Sequence, residues 1–148
     1  VAFRNELEGE SRGVEGALSL SLGRHLESVT SLTYLDTSFD NRGFEREQPL
    51  RVPFRLFQRF TAQLPRPGLE GFVEVDHRSS FFPDSANLVE QPPLTFVNAG
   101  LRAFSEPDGL SILFAARNIF DELGLDLLAF PLPGRAFEAA LQWKGSLL

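Results

Sequence analysis

The chain has 148 residues, a net charge of −6, 15 Phe beside one Trp and one Tyr, and neither Cys nor Met. That length suits one domain; the missing cysteines exclude a disulfide framework or a thiolate metal site, and the acidic balance argues against nucleic acid. No run of 18 apolar residues occurs, which excludes a transmembrane helix but not transmembrane strands, which need only about 9–11 residues with alternating apolar side chains.

A chain that begins at Val1 with no Met is expected to be processed, trimmed or a piece of a longer protein. Its first segment reads as extended: Leu18, Leu20 and Leu22 alternate with Ser19 and Ser21 beyond a Gly13–Gly16 interruption. A turn around Gly23–His25 leads into a second strand over 26–39, rich in Thr, Ser, Val and Leu. From Phe54 the period is two. Phe54, Leu56, Phe60, Ala62 and Leu64 share one face, broken only by Gln58, and Arg55, Arg59, Thr61 and Gln63 the other, with Phe57 the exception.

The same alternation sets Val73, Val75 and His77 against Phe72, Glu74, Asp76 and Arg78. It then sets Thr95, Val97, Ala99, Leu101 and Ala103 against Phe96, Asn98, Gly100, Arg102 and Phe104. Residues 110–119 read as a strand by their length and their Gly109 start. In the last segment Phe137, Ala139, Leu141 and Trp143 alternate with Glu138, Ala140, Gln142 and Lys144. About seven strands are therefore expected, each with one apolar and one polar face. Their connections alternate in length. Short turns fall at Leu22–Glu27, Pro65–Gly68 and Ser105–Gly109, and longer polar loops at about 40–50, 83–92 and 121–132. This is the layout of an up-and-down membrane barrel rather than of a Greek-key sandwich.

The stretch Ala115-Ala-Arg-Asn-Ile-Phe-Asp-Glu122, followed by Phe130-Pro-Leu-Pro-Gly-Arg-Ala-Phe137, resembles the end of a TonB-dependent outer-membrane receptor. Asn118, Ile119, Phe120 and Asp121 stand where that family carries Asn-Leu-Phe-Asp in its penultimate strand, and Pro133, Gly134 and Arg135 where Pro-Gly-Arg opens the closing strand. Phe3-Arg-Asn5, Ser11-Arg-Gly-Val-Glu15, His77-Arg-Ser-Ser-Phe81 and the Pro93–Asn98 opening are similar to family segments, so the likeness spans nearly the whole chain. The chain departs from the family in continuing through Lys144-Gly-Ser-Leu-Leu148, where such proteins often end on an aromatic residue, and in lacking a plug.

The resemblance implies an all-β, antiparallel up-and-down transmembrane β-barrel segment, residues 1–148 being the C-terminal portion of a 22-stranded barrel. It implies uptake of a siderophore-type iron chelate or similar nutrient across a bacterial outer membrane. The partners it implies are outer-membrane lipid, the rest of the receptor, the TonB complex and the barrel-assembly machinery. The stripe of Phe137, Leu141 and Trp143 would face lipid, with Trp143 suited to the interface. Gly134 would permit a backbone geometry that other residues resist. An odd number of antiparallel strands does not close a bacterial barrel, so a piece of a larger receptor is expected.

On the polar side, Arg55, Arg59, Glu74, Asp76, Arg78 and Arg102 are candidate lumen or ligand-facing residues. An Arg cluster attracts anionic ligands; the plainer reading is a network of charges paired across strands. Glu10, Arg12 and Glu15 are expected on that side too, and Phe81 and Phe82 as exposed loop aromatics or part of an interfacial girdle. No catalytic role, cofactor or metal is expected. His25 and His77 are the only histidines, no HExxH spacing or Gly-x-Ser-x-Gly elbow occurs, and consecutive Asp76 and His77 point to opposite faces of a strand. The alternative is a soluble β-barrel or sandwich that turns its Phe-rich face inward and binds a small ligand in its interior. The two differ in which face is covered.

Overall fold

The computed structural model describes residues 9–40, 44–105, 109–126 and 130–144. They form one antiparallel, up-and-down sheet of eight strands that is not closed. In chain order these are β1 (Gly9–Ser21), β2 (Leu26–Asp40), β3 (Glu45–Glu47), β4 (Phe54–Gln63), β5 (Leu69–Arg78), β6 (Leu94–Ser105), β7 (Leu110–Arg117) and β8 (Ala136–Trp143). The path runs β1-β2-β4-β5-β6-β7-β8. The seven expected segments are the seven members of that path. The eighth, β3, falls in what reads from sequence as a plain loop.

β3 exists because β2 overhangs its neighbour. The β2–β4 ladder ends at Tyr34↔Phe54, leaving the backbone groups of Leu35–Asp40 open on that side. The Pro53 carbonyl accepts the Leu35 amide at 2.7 Å, and Glu45–Glu47 pairs with Ser38–Asp40. Three residues reading Glu-Arg-Glu carry no strand signature of their own, so the open ladder supplies the reason for pairing.

Turn chemistry fixes the other end. Gly23, Gly68 and Gly109 all have positive φ, where a Cβ is disfavoured. Gly68 also lies against the Phe104 backbone and Gly109 against that of Lys144, so the turns interlock with the neighbouring strand. Short connections therefore gather at one end and the three long ones at the other. The tip at 106–108 and part of the 121–132 loop lie outside the described residues, as does the Phe3–Asn5 segment.

Because residues opposite one another in a ladder share a face, the registers assign every strand residue to one of two surfaces. One carries Arg59, Glu74, Asn98 and Arg117 in a row, through Arg59↔Glu74, Glu74↔Asn98 and the Ala99↔Ala116 register beside it. The other carries Phe60↔Val73↔Ala99↔Ala116↔Phe137. Glu15 belongs to the polar face, but Glu10 and Arg12 differ from it in parity and stand on the apolar one, where Arg12 Nη2 meets Glu10 Oε1 at 2.5 Å. They lie at the long-loop end of β1, beyond its apolar residues.

Burial is inverted relative to a water-soluble sheet. Of the buried strand residues among those described, Phe39, Phe72, Leu94, Ala115, Thr37 and Glu74 belong to the polar face, and only the small Ser28, opposite Phe60, belongs to the apolar one. The exposed large apolar strand residues, from Val14 and Leu18 through Phe60 and Leu101 to Phe137, Leu141 and Trp143, belong to the apolar face, with Val29 the sole exception. Consecutive path members run antiparallel, so β1 and β8, at its two edges, point the same way.

Candidate functional site

The polar face holds two groups of charges at different heights. Midway along the sheet Glu74, buried to 8 % exposure, takes Arg59 Nη1 on one carboxylate oxygen at 3.1 Å and Arg117 Nη1 on the other at 3.3 Å. Asn98 Nδ2 donates to the second oxygen at 3.3 Å. Arg117 forks onto both oxygens of Glu138 at 3.2 and 3.4 Å, and the Arg59 guanidinium lies 4.5 Å from the Phe72 ring centroid. This ladder crosses five strands and meets each charge with its opposite, so it welds the sheet rather than offering a vacant site.

Of the six expected residues, only Arg59 and Glu74 enter this ladder. Arg102 stands exposed near the short-turn end, opposite Glu70. Asn98, Arg117 and Glu138, which complete the ladder, were not among the expected site residues. Their parity put them on the right face, but only register sets them beside Glu74.

Arg55, Asp76 and Arg78 form the second group, at the long-loop end. Arg55 and Arg78 are direct cross-strand partners. Both line a partly enclosed cavity of about 240 Å3, together with Asp76, Asp126, Val52, Leu94, Phe96 and Leu132. The β7–β8 connection reaches this place by folding over the polar face, and Arg78 Nη2 donates to the Leu125 carbonyl. The Arg78 guanidinium also lies 5.1 Å from the Phe81 ring centroid. Phe81 is only 1 % exposed and bridges Gln91 through amide–carbonyl bonds of 3.2 and 2.8 Å. It is therefore a buried anchor of the β5–β6 loop, not the exposed aromatic that the sequence suggests.

Asn118 organises the long β7–β8 connection. It lies in the turn just past β7, not within a strand, with φ of 49°. Its Oδ1 accepts the Glu122 amide at 2.8 Å, and its Nδ2 donates to the carbonyls of Glu122 at 2.9 Å and Pro133 at 3.2 Å. Its own amide donates to Asn98 Oδ1 at 2.9 Å, which ties the loop to the ladder. Asp121, with φ of 57°, accepts the Arg135 amide at 2.7 Å. Asn and Asp tolerate this left-handed backbone better than other side chains.

Gly134 has no positive φ; a Cβ there would stand 2.8 Å from Asp121 Oδ1, the end of a side chain that also accepts the Arg135 amide, so that side chain would have to shift. Phe120 is exposed, while Pro133 contributes its carbonyl to Asn118. The Asn118–Asp121 and Pro133–Arg135 segments are thus two halves of one loop clasp. Phe137, Leu141 and Trp143 are 80 %, 71 % and 67 % exposed on the apolar face.

On the apolar face His77 bonds Thr95 Oγ1 through Nδ1 at 2.8 Å and tilts against Phe54. Asp76 is on the opposite surface, and Ser79 Oγ accepts the Phe54 amide, so the three do not converge. Among the described residues no group of three or more His, Cys, Asp or Glu could hold a metal ion. No protein-family model matches the chain, and no curated protein matches it either.

Proposed function

We propose that this chain is part of a transmembrane β-barrel of the bacterial outer membrane, and within that class part of a TonB-dependent receptor that imports a siderophore-type iron chelate or similar nutrient. One observation carries the membrane reading: the apolar face of the sheet is the exposed one, and the charged face is the one that packs on itself. In water a contiguous apolar surface of this extent is a liability. Against lipid it is the required exterior, with polar side chains facing the lumen. Tyr34, at the long-loop end of the apolar face, and Trp143, at the short-turn end, suit the two membrane interfaces.

The open edges support the same reading. Since β1 and β8 run in one direction, antiparallel closure requires an odd number of further strands, the remainder of the receptor barrel. A soluble sandwich would cover its Phe-rich face; the loop that folds onto this sheet packs instead on the polar one. The receptor assignment itself, with its TonB and assembly-machinery partners, rests on the resemblance of the Asn118–Asp121 and Pro133–Arg135 segments to that family.

The chain has one Trp, which makes the membrane reading directly testable. After refolding into vesicles, Trp143 fluorescence should be quenched by lipids brominated near the headgroup more than by those brominated at mid-chain. A monomer that stays soluble in plain buffer, with Trp143 untouched by brominated lipid, would overturn it.

A further inference from the structure

The two charged groups on the polar face differ in one respect. The mid-sheet ladder is closed. At the long-loop end, Arg55 sits directly across from Arg78, a like-charge pairing that is destabilising on its own. Arg55 is exposed and, among the described residues, makes no hydrogen bond or ion pair. Arg78 spends one nitrogen on the neutral Leu125 carbonyl, and its Nε is buried with no partner. Asp76 and Asp126 share the cavity and attract the Arg78 guanidinium at longer range, Asp76 making no close ion pair to either Arg and Asp126 accepting the Phe130 amide at 2.8 Å.

We propose that this cavity binds a small, singly charged aliphatic carboxylate, the anion held between Arg55 and Arg78. Guanidinium groups offer paired N–H donors matched to carboxylate oxygens, and an anion between them turns a repulsive pair into a bridged one. Leu94, Phe96 and Leu132 wall the rest of the space and take the hydrocarbon body. At about 240 Å3 the cavity is below the ~300–1,000 Å3 of drug-sized pockets, which sets the ligand at amino-acid size. Asp76 and Asp126 repel a second negative charge and accept a donor, so an amino group on the ligand is tolerated. This deepens the receptor reading, on which it rests for its biological use, by naming a carboxylate subsite at the long-loop end.

The test is calorimetric titration of the full chain in detergent micelles, corrected against empty micelles. The probes are isocaproate, leucine and isopentylamine, which share one hydrocarbon body. The two carboxylates should bind and the amine should not. Arg55→Gln should weaken both carboxylates by about tenfold or more, while Arg102→Gln, on the same face at the far end, leaves them unchanged. Arg78→Lys, which keeps the charge but removes the fork, should weaken them as well and serves if Arg55→Gln does not fold. The site is refuted if the amine binds as well as the carboxylates, if the Arg55→Gln chain binds like the parent, or if no probe binds. Trp143 quenching of the same chains refolded into vesicles with brominated lipid tests the membrane separately. Lost binding with intact quenching removes the subsite alone, and binding without quenching removes the membrane reading alone.

Discussion

Removing the Glu74 charge tests whether the polar ladder holds the sheet together. In Glu74→Gln the shape is kept, but Arg59 and Arg117 both lose their shared carboxylate. Breaking a fully buried pair costs about 3–5 kcal/mol, whereas an exposed pair is worth about 0–1 kcal/mol. Glu74's side chain is 10 % exposed, but those of Arg59 and Arg117 are 37 % and 43 % exposed, so solvent screens a large part of the interaction. Arg59 also keeps its contact with Phe72, and Arg117 its fork on Glu138. The expected loss is therefore about 1–2 kcal/mol, above that for Glu138→Gln at the exposed end of the ladder. Guanidinium unfolding followed by Trp143 fluorescence reads it as a lowered midpoint at unchanged slope. A double-mutant cycle with Arg59→Gln should return a coupling near 1 kcal/mol. A Glu74→Gln midpoint equal to the parent's, or a coupling of zero, would show that the ladder is incidental to stability.

Asn118→Ala removes three side-chain hydrogen bonds and leaves an alanine at positive φ, so it should cost about 2–4 kcal/mol and open residues 118–135 to protease. Asn118→Gly, which relieves the backbone but not the lost bonds, should recover part of that loss; equal stability of the two variants would refute the backbone contribution. Gly68→Ala meets both a positive φ and the Phe104 backbone, and it should lower the yield of folded chain far more than an alanine at Gly16, where a Cβ meets nothing. Asp84 caps the loop after β5 by accepting the amides of Leu88, Val89 and Ala86, bonds that hold its carboxyl below the ordinary value of 3.8. Because the folded value is the lower one, the contribution is complete above the ordinary value and is lost as pH falls through the folded one. Protection of the Leu88 and Val89 amides, measured as exchange relative to the intrinsic rate at each pH, should therefore fall on acidification in the parent and show no such fall in Asp84→Asn.

Much of the fold was legible in the residue order, because strand periodicity and turn chemistry are local properties. Alternation at period two put Phe60 and Arg59 on opposite surfaces, and Gly68 and Gly109 ended ladders, whatever lay beside them. Parity, rather than composition, should also have separated Glu10 and Arg12 from Glu15. Register was different in kind. That Arg59 lies across from Glu74, or Arg55 from Arg78, depends on how neighbouring strands slide into place, and no single strand encodes it. The β3 pairing and the burial of Phe81 likewise arose from backbone and space left open by other segments. So did the clasp that joins Asn118 to Pro133. The sequence by itself determined which surface is apolar and where the chain turns; only the tertiary structure decided which charges meet, since that is a property of pairs.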